Sequence, residues 1–174
     1  AHDGSIAKRH FVNVASFGFS GAVASKANAS SKRLGGRVAF LSATVRSLIS
    51  YDNVEVWWQA DDGERVRRRL VMAAVGNGRY FGGGMKVAPD ADVADGLFDV
   101  IIIRGAGRLK VLTLMNSIYS GGHLKSPLVS IHRARLVEAW PIGMEPVPID
   151  SDGEAPGQLP ARFEIMVGAL SLKI

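Results

Sequence analysis

The chain contains no cysteine, which removes disulfides, thiolate catalysis and Cys-ligated zinc together. Long hydrophobic runs are missing too. The longest apolar stretch, Ile165 to Leu172, falls far short of the roughly 20 residues that a membrane-spanning helix needs. Histidine is scarce, and His2, His10, His123 and His132 lack the spacing of metal ligands. Aromatic residues make up 7% of the chain, and none form the ladder between basic residues that a single-strand nucleic-acid binder uses. What remains is an ordinary globular composition of 174 residues, 47% hydrophobic, with 21 Lys and Arg against 16 Asp and Glu and a net charge of +5. A chain this long buries about two-thirds of its unfolded surface and needs no covalent or metal staple. One soluble, Gly-rich, mildly basic domain over residues 1–174 is expected. The chain starts at Ala1 without Met and turns strand-like within a dozen residues, so a segment of a longer protein is also expected.

Pattern along the chain predicts many short strands and few helices. His10 to Phe17 is β-branched and aromatic enough to read as a strand, with Gly18 and Gly21 flanking the turn after it. Ala22 to Ala29 suits a short helix, and Arg37 to Ile49 places Val38, Leu41, Val45 and Leu48 on one helical face. Val54 to Trp58 and Arg65 to Val75 read as a hairpin about Asp62-Gly63. Leu97 to Ile103 is an unbroken buried strand. Arg108 to Ser120 has helical spacing and stops at Gly121-Gly122. Alternation resumes from Leu128 to Trp140, and Pro146 to Ile149 and Arg162 to Ile174 supply the last strands. These elements predict a mainly antiparallel β-sandwich, or α+β with the helices to one side.

Three clusters could carry chemistry. Asp150-Ser151-Asp152-Gly153-Glu154 sets carboxylates around a glycine between strand-like segments. A carboxylate at a turn tip can take a proton from a hydroxyl, worth roughly 10²–10⁴ in rate. An acidic β-turn explains the same residues, as Asp62-Gly63-Glu64 illustrates. Asp90, Asp92, Asp95 and Asp99 fall within ten residues. Asp92 and Asp95 are spaced so that one turn could aim both at a hard cation such as Mg²⁺. The loop is not an EF-hand, and a solvated acidic loop accounts for it equally. Gly76-Asn77-Gly78-Arg79-Tyr80-Phe81-Gly82-Gly83-Gly84 permits close approach of main-chain N–H groups to a phosphate. No strand–GxGxxG–helix unit surrounds it, however. Basic residues gather at Lys32, Arg33 and Arg37 and at Arg65, Arg67, Arg68 and Arg69. Such groups are ordinarily a solvated face, with anionic phosphates or lipid headgroups as the natural partners. Trp57, Trp58 and Trp140 are expected to pack in the core or on a sheet face. His123 is expected at a turn or helix end, and Ser151 has no histidine neighbour to build a triad.

In sequence order these clusters form one set. Phe11-Val12-Asn13-Val14-Ala15-Ser16-Phe17-Gly18-Phe19, then the run from Val75 to Met85, then Ala88 to Val100, Gly122-His123, and Asp152-Gly153-Glu154 together resemble the C-terminal domain of the diacylglycerol kinase / sphingosine kinase family, in particular its bacterial lipid kinases. The resemblance implies a β-sandwich with two or three short helices, the C-terminal domain of the NAD kinase/diacylglycerol kinase-like fold. It implies a lipid pocket, and an active site in the cleft with an N-terminal nucleotide-binding domain that this chain lacks. By that likeness Glu154 would be the general base acting on the lipid hydroxyl. Asp95, with main-chain oxygens of Asp92 and Leu97, would hold Mg²⁺. Lys32, Arg33 and Arg37 would reach the phosphates of ATP. The partners implied are a lipid substrate, ATP mostly through the other domain, and a membrane surface met peripherally from the cytoplasm. A homodimer is left open, and nucleic acid is not expected. Two departures matter. The family's Gly-Gly-Asp-Gly-Thr nucleotide motif is absent, so this chain alone should not turn over ATP. The segment Phe17-Gly18-Phe19-Ser20-Gly21 lacks the carboxylate that sphingosine kinases use for the sphingoid amine, which favours a neutral, diacylglycerol-like alcohol. The alternative is a non-catalytic lipid- or small-molecule-binding module of the same fold. A nucleic-acid binder rests on net charge alone.

Overall fold

A computed structural model describes residues 6–29 and 52–171. The helix expected over residues 37–49, and Lys32, Arg33 and Arg37 with it, lies outside them. The elements in chain order are β1 (Val14–Gly18), α1 (Phe19–Ala29), β2 (Val54–Ala60), β3 (Val66–Gly76), β4 (Phe98–Arg104), α2 (Arg108–Ile118), a short 3-10 turn (Gly122–Lys125), β5 (Val129–Ala134), β6 (Leu136–Pro141), β7 (Pro148–Ser151), β8 (Glu154–Gln158) and β9 (Ala161–Glu164). All the strand pairings are antiparallel. The main path runs β8-β7-β1-β3-β2-β6-β9, with β4 added to β3 and β5 to β4. This is the mainly β, antiparallel sandwich with few short helices that the sequence predicts.

Strand β3 organises it. Its first half pairs with β2, and its second half with β1 and β4 around a bulge at Leu70–Met72. Successive side chains on a strand point to opposite faces, so β3 and β4 feed two cores. Ala73, Val75, Val100 and Ile102 join Val56, Trp58, Val137 and Phe163 inside the sandwich. Met72, Ala74, Ile101 and Ile103 lie on the other face, under Phe19 and Val23 of α1 and Val111, Leu114 and Ile118 of α2. That double burial is why β4 reads as an unbroken apolar run.

Several boundaries differ from the sequence reading, each through a distant contact. Strand β1 starts at Val14 rather than His10, because the main-chain N–H groups of residues 12–14 donate to the Asp152 carboxylate instead of a neighbouring strand. Helix α1 begins at Phe19, so Gly21 belongs to its first turn and not to a loop. A methyl group on Gly21 would stand 2.1 Å from the Pro148 carbonyl oxygen, so only glycine lets α1 lie this close to β7. The alternating run from Leu128 splits at Arg135, where the Asp61 carboxylate accepts the N–H groups of Arg135 and Leu136 at 2.9 Å each. The strand β8 was not foreseen, and residues 165–171 extend no strand.

Candidate functional site

The register brings the sequence clusters to one end of the sheet. Val14 pairs with Gly76, Gly76 with Asp99 and Asp99 with Arg133, while Ala15 pairs with Ser151. The start of the first strand, the glycine-rich loop, the acidic loop and the Asp-Gly-Glu hairpin therefore share a rim. Asn13 knots three of them. Its main-chain oxygen accepts the N–H groups of Asn77 and Gly78 at 2.9 and 2.8 Å, and its side-chain amide donates to the Tyr80 carbonyl. A methyl group on Gly78 would lie 2.1 Å from Asn13 Oδ1, which explains that glycine by packing. The Asn77 amide returns a hydrogen bond to the Val12 carbonyl at 2.7 Å.

The hairpin between β7 and β8 presents Glu154. Asp152 and Gly153 form its two-residue tip with φ of 49° and 89°, the left-handed pair of a type I′ turn, which suits Asp-Gly and matches strand twist. Asp152 Oδ2 accepts the Val12 N–H at 2.7 Å and its Oδ1 the Val14 N–H at 2.9 Å, with the Asn13 N–H between them. A carboxylate holding three main-chain donors is a strong, charge-assisted clamp. Of the two acids at this turn, Asp152 is thus structural, and Glu154, paired opposite Ser151, stays exposed. One residue back, Asp150 is buried between β1 and α1 and accepts the Ser16 hydroxyl at 3.3 Å. Burial pushes its carboxyl up to about 6, against the opposing pull of the Gly153 main-chain N–H and the Ser16 hydroxyl.

The acidic loop is self-supporting. Asp92 Oδ1 accepts the Ala94 N–H, and Asp95 Oδ1 the Leu97 N–H, both at 2.9 Å. The other Asp95 oxygen meets the Arg133 guanidinium, whose Nε lies 3.3 Å from the buried Asp99 carboxylate. Burial raises the Asp99 pKa; Arg133 opposes the shift, and the negative charges of Asp95 and Asp90 add to it. Among the described residues no three His, Cys, Asp or Glu side chains are arranged to hold a metal. The donors here are oxygens, the type Mg²⁺ takes, and Asp95 and Asp90 add negative charge beside Asp99. An ion would nonetheless need main-chain carbonyls and water to complete its shell around Asp95. Glu154 on β8 and Asp99 on β4 are four strand spacings apart, about 19 Å along the sheet, so Glu154 and the acidic loop occupy separate stretches of the rim.

The remaining predicted residues divide by role. Arg79 Nε donates to the Ala91 carbonyl at 2.8 Å, tying the glycine loop to the acidic loop. His123 is fully buried, with Nε2 2.9 Å from the Val87 carbonyl; it sits in the 3-10 turn and braces the core. Burial lowers its pKa, with the Val87 hydrogen bond opposing. Trp58 is in the core, edge-on to His132, and Arg65 lies 3.8 Å above the Trp140 ring on the outer sheet face. Sequence reasoning missed Asn13 and Arg133. Asn13 falls in the segment Phe11 to Phe19 that carries the family resemblance, but nothing in the pattern assigns it a role.

An antiparallel sandwich carrying an acidic hairpin and an aspartate loop on one rim defines the C-terminal half of a lipid-kinase-like fold. Residues 13–174 match the model of the YegS C-terminal NAD kinase beta sandwich-like domain, and the chain belongs to that family. It is 30% identical over 165 residues to a diacylglycerol kinase of Mycobacterium tuberculosis, covering 95% of this chain and 52% of the relative. A diacylglycerol kinase of Staphylococcus carnosus is 29% identical over 92% of this chain and 51% of its own length. A crystal structure described as a diacylglycerol kinase from Bacillus anthracis shares the fold with a TM-score of 0.59, at 16% identity over 92% of this chain and 48% of that one. The chain thus spans about half the length of the curated relatives it matches.

Proposed function

We propose that this chain is the substrate-binding and base-donating half of an ATP-dependent lipid kinase whose acceptor is the hydroxyl of a diacylglycerol-like lipid. The observation that carries the reading is the pinned hairpin: three main-chain N–H groups fix Asp152, and the fixed turn holds an exposed Glu154 out on the rim. Glu154 takes the hydroxyl proton, the lipid oxygen bonds to the γ-phosphorus of ATP, and the bond to the β-phosphate breaks to release ADP. Positioning and charge neutralisation dominate such transfers. Asp95, with the main-chain oxygens of Asp92 and Leu97, is the set that would hold Mg²⁺, which supplies positive charge to the phosphate-binding side of the cleft. Lys32, Arg33 and Arg37 are the chain's own contribution to the ATP phosphates. The end of β1 carries no carboxylate to meet an amine, which supports a neutral alcohol. Work at the cytoplasmic face of a membrane, as a peripheral protein, follows from that substrate.

The test is phosphorylation of diacylglycerol in detergent micelles by the full-length protein containing this chain. Glu154→Gln should lower the rate by roughly 10²–10⁴ and leave the melting temperature in place. A rate within about twofold of the parent, far inside that range, would sink the assignment. The 174-residue chain by itself should transfer no phosphate.

A further inference from the structure

The acidic stretch leading into β4 carries Asp90, Asp92, Asp95 and Asp99. Among the described residues, Arg133 is the one cation that pairs with any of them. Its place is fixed by the sheet. Arg133 on β5 lies directly opposite Asp99 on β4, and its Nε stands 3.3 Å from the buried Asp99 carboxylate. The far end of the same guanidinium reaches Asp95 Oδ2. One side chain thus bridges a buried carboxylate and a partly exposed one, which the fork of donors on a guanidinium allows and an ammonium does not match. The loop keeps its shape by bonds of its own. The Asp95 N–H donates to the Asp92 carbonyl at 3.3 Å, Asp95 Oδ1 accepts the Leu97 N–H at 2.9 Å, and Arg79 holds the Ala91 carbonyl. Both Asp95 oxygens are therefore engaged, one by main chain and the other by Arg133. Mg²⁺ takes a carboxylate oxygen as ligand at about 2.0–2.1 Å, and the Asp95 oxygen not tied to the loop is the one that Arg133 holds. Two positive groups on one oxygen repel each other.

We propose that Arg133 is a positioning residue that competes with a divalent cation for Asp95. With no ion present it neutralises Asp95 and holds the carboxylate in place. When an ion is taken up, Arg133 gives up Asp95 Oδ2 and stays on Asp99, its cross-strand partner. The inference rests on the reading of Asp95 as the Mg²⁺ ligand, and it adds the residue that weakens the hold on that ion. Charge gives the sign of the effect. A unit positive charge about 6 Å from a divalent ion lowers the ion's affinity about tenfold even at the dielectric constant of water. Removing the charge of Arg133 should therefore tighten ion binding. A purely structural Arg133 predicts the reverse, because its loss would leave Asp99 buried without a partner and loosen the loop.

The experiment is titration of the protein, without nucleotide and at low ionic strength, with Mn²⁺ read by electron paramagnetic resonance and Mg²⁺ as competitor. Both ions take oxygen ligands. The parent should bind Mn²⁺, release it to Mg²⁺, and lose the binding in Asp95→Asn. Arg133→Gln should tighten it about tenfold. Arg133→Lys, which keeps the charge, should stay within about threefold of the parent. Arg67→Gln, on the exposed first half of β3, should change it less than about twofold, the control for net charge alone. Metal-free thermal melts show whether each variant folds. Should Arg133→Gln fail to fold, the comparison moves to Asp99→Asn, which leaves no buried carboxylate unpaired. There the added Arg133→Gln should again tighten Mn²⁺ binding about tenfold relative to Asp99→Asn alone. Folded variants without Arg133 that bind Mn²⁺ as their reference does, or more weakly, would overturn the proposal and leave Asp95 standing as the ligand. Binding that survives Asp95→Asn, or no binding by the parent, would overturn both the competition and the assignment of Mg²⁺ to Asp95.

Discussion

Two carboxylates on one hairpin, Asp150 and Asp152, behave differently because one faces the core and the other faces main-chain N–H groups. Asp152 gains a charge-assisted bond from each donor it satisfies, and it stabilises the turn that carries Glu154. Asp150 sits where ionisation is costly, and its pKa rises from 3.8 to about 6. At a pH below both values the group is neutral whether the chain is folded or not, and it costs nothing. Between them the folded state keeps a proton that the unfolded state has lost, so stability falls as pH rises. Above about 6 the penalty is complete, up to about 3 kcal/mol at 1.36 kcal/mol per pKa unit. Asp150→Asn keeps an acceptor for Ser16 and removes the charge. Urea unfolding should show the variant equal to the parent at about pH 3 and more stable by about 1–3 kcal/mol at about pH 7.5. A variant that is less stable at the higher pH would mean that ionised Asp150 is stabilised by groups beyond those identified. None of this was legible in the sequence, where Asp150, Asp152 and Glu154 were three similar acids. Only the resemblance to lipid kinases singled out Glu154, and only three-dimensional contacts separated the clamp from the candidate base.

At the scale of elements, those whose reasons are local were readable and those fixed by distant contacts were not. The apolar runs of β3 and β4 and the helical spacing of α2 came close to their observed limits, because burial period alone defines them. Strand β8, Glu154-Ala155-Pro156-Gly157-Gln158, has no apolar alternation and holds both Pro and Gly; it exists because the type I′ tip folds it back onto β7. The start of β1 depends on a carboxylate 138 residues away. The start of α1 depends on Gly21 passing the Pro148 carbonyl. That last contact is testable. Gly21→Ala gains helix propensity, but its methyl group meets main chain rather than a movable side chain, so the element must shift. We expect a net loss of about 2 kcal/mol or more, as overpacking costs. Gly107→Ala, at the start of α2 with nothing within 4 Å of the added methyl, should cost below about 1 kcal/mol. Equal stabilities of the two variants in denaturant titrations would show that α1 does not rest on β7 in solution.

At the scale of the whole, the described residues form one sheet with a core on each face, and that arrangement couples everything the rim holds. Ile101 and Ile102 are neighbours on β4, yet Ile101 packs under the helices and Ile102 inside the sandwich. Neither core can loosen without disturbing the strand whose end carries Asp99 and, across one pairing, Arg133. The glycine loop and the hairpin are tied to the same sheet through Asn13 and Asp152. The chain, though about half the length of its relatives, should therefore unfold as a single cooperative unit instead of shedding one face first. Trp58 reports on the sandwich core, whereas far-ultraviolet circular dichroism is weighted toward α1 and α2 on the opposite face. The two signals should give coincident denaturation curves. Ile101→Ala and Ile102→Ala should each lower the shared midpoint by an amount equivalent to about 2–4 kcal/mol, with both probes moving together. Were Ile101→Ala to shift the dichroism curve and leave tryptophan fluorescence in place, the two faces would be separate folding units. The rim would then be assembled from parts that do not report on one another.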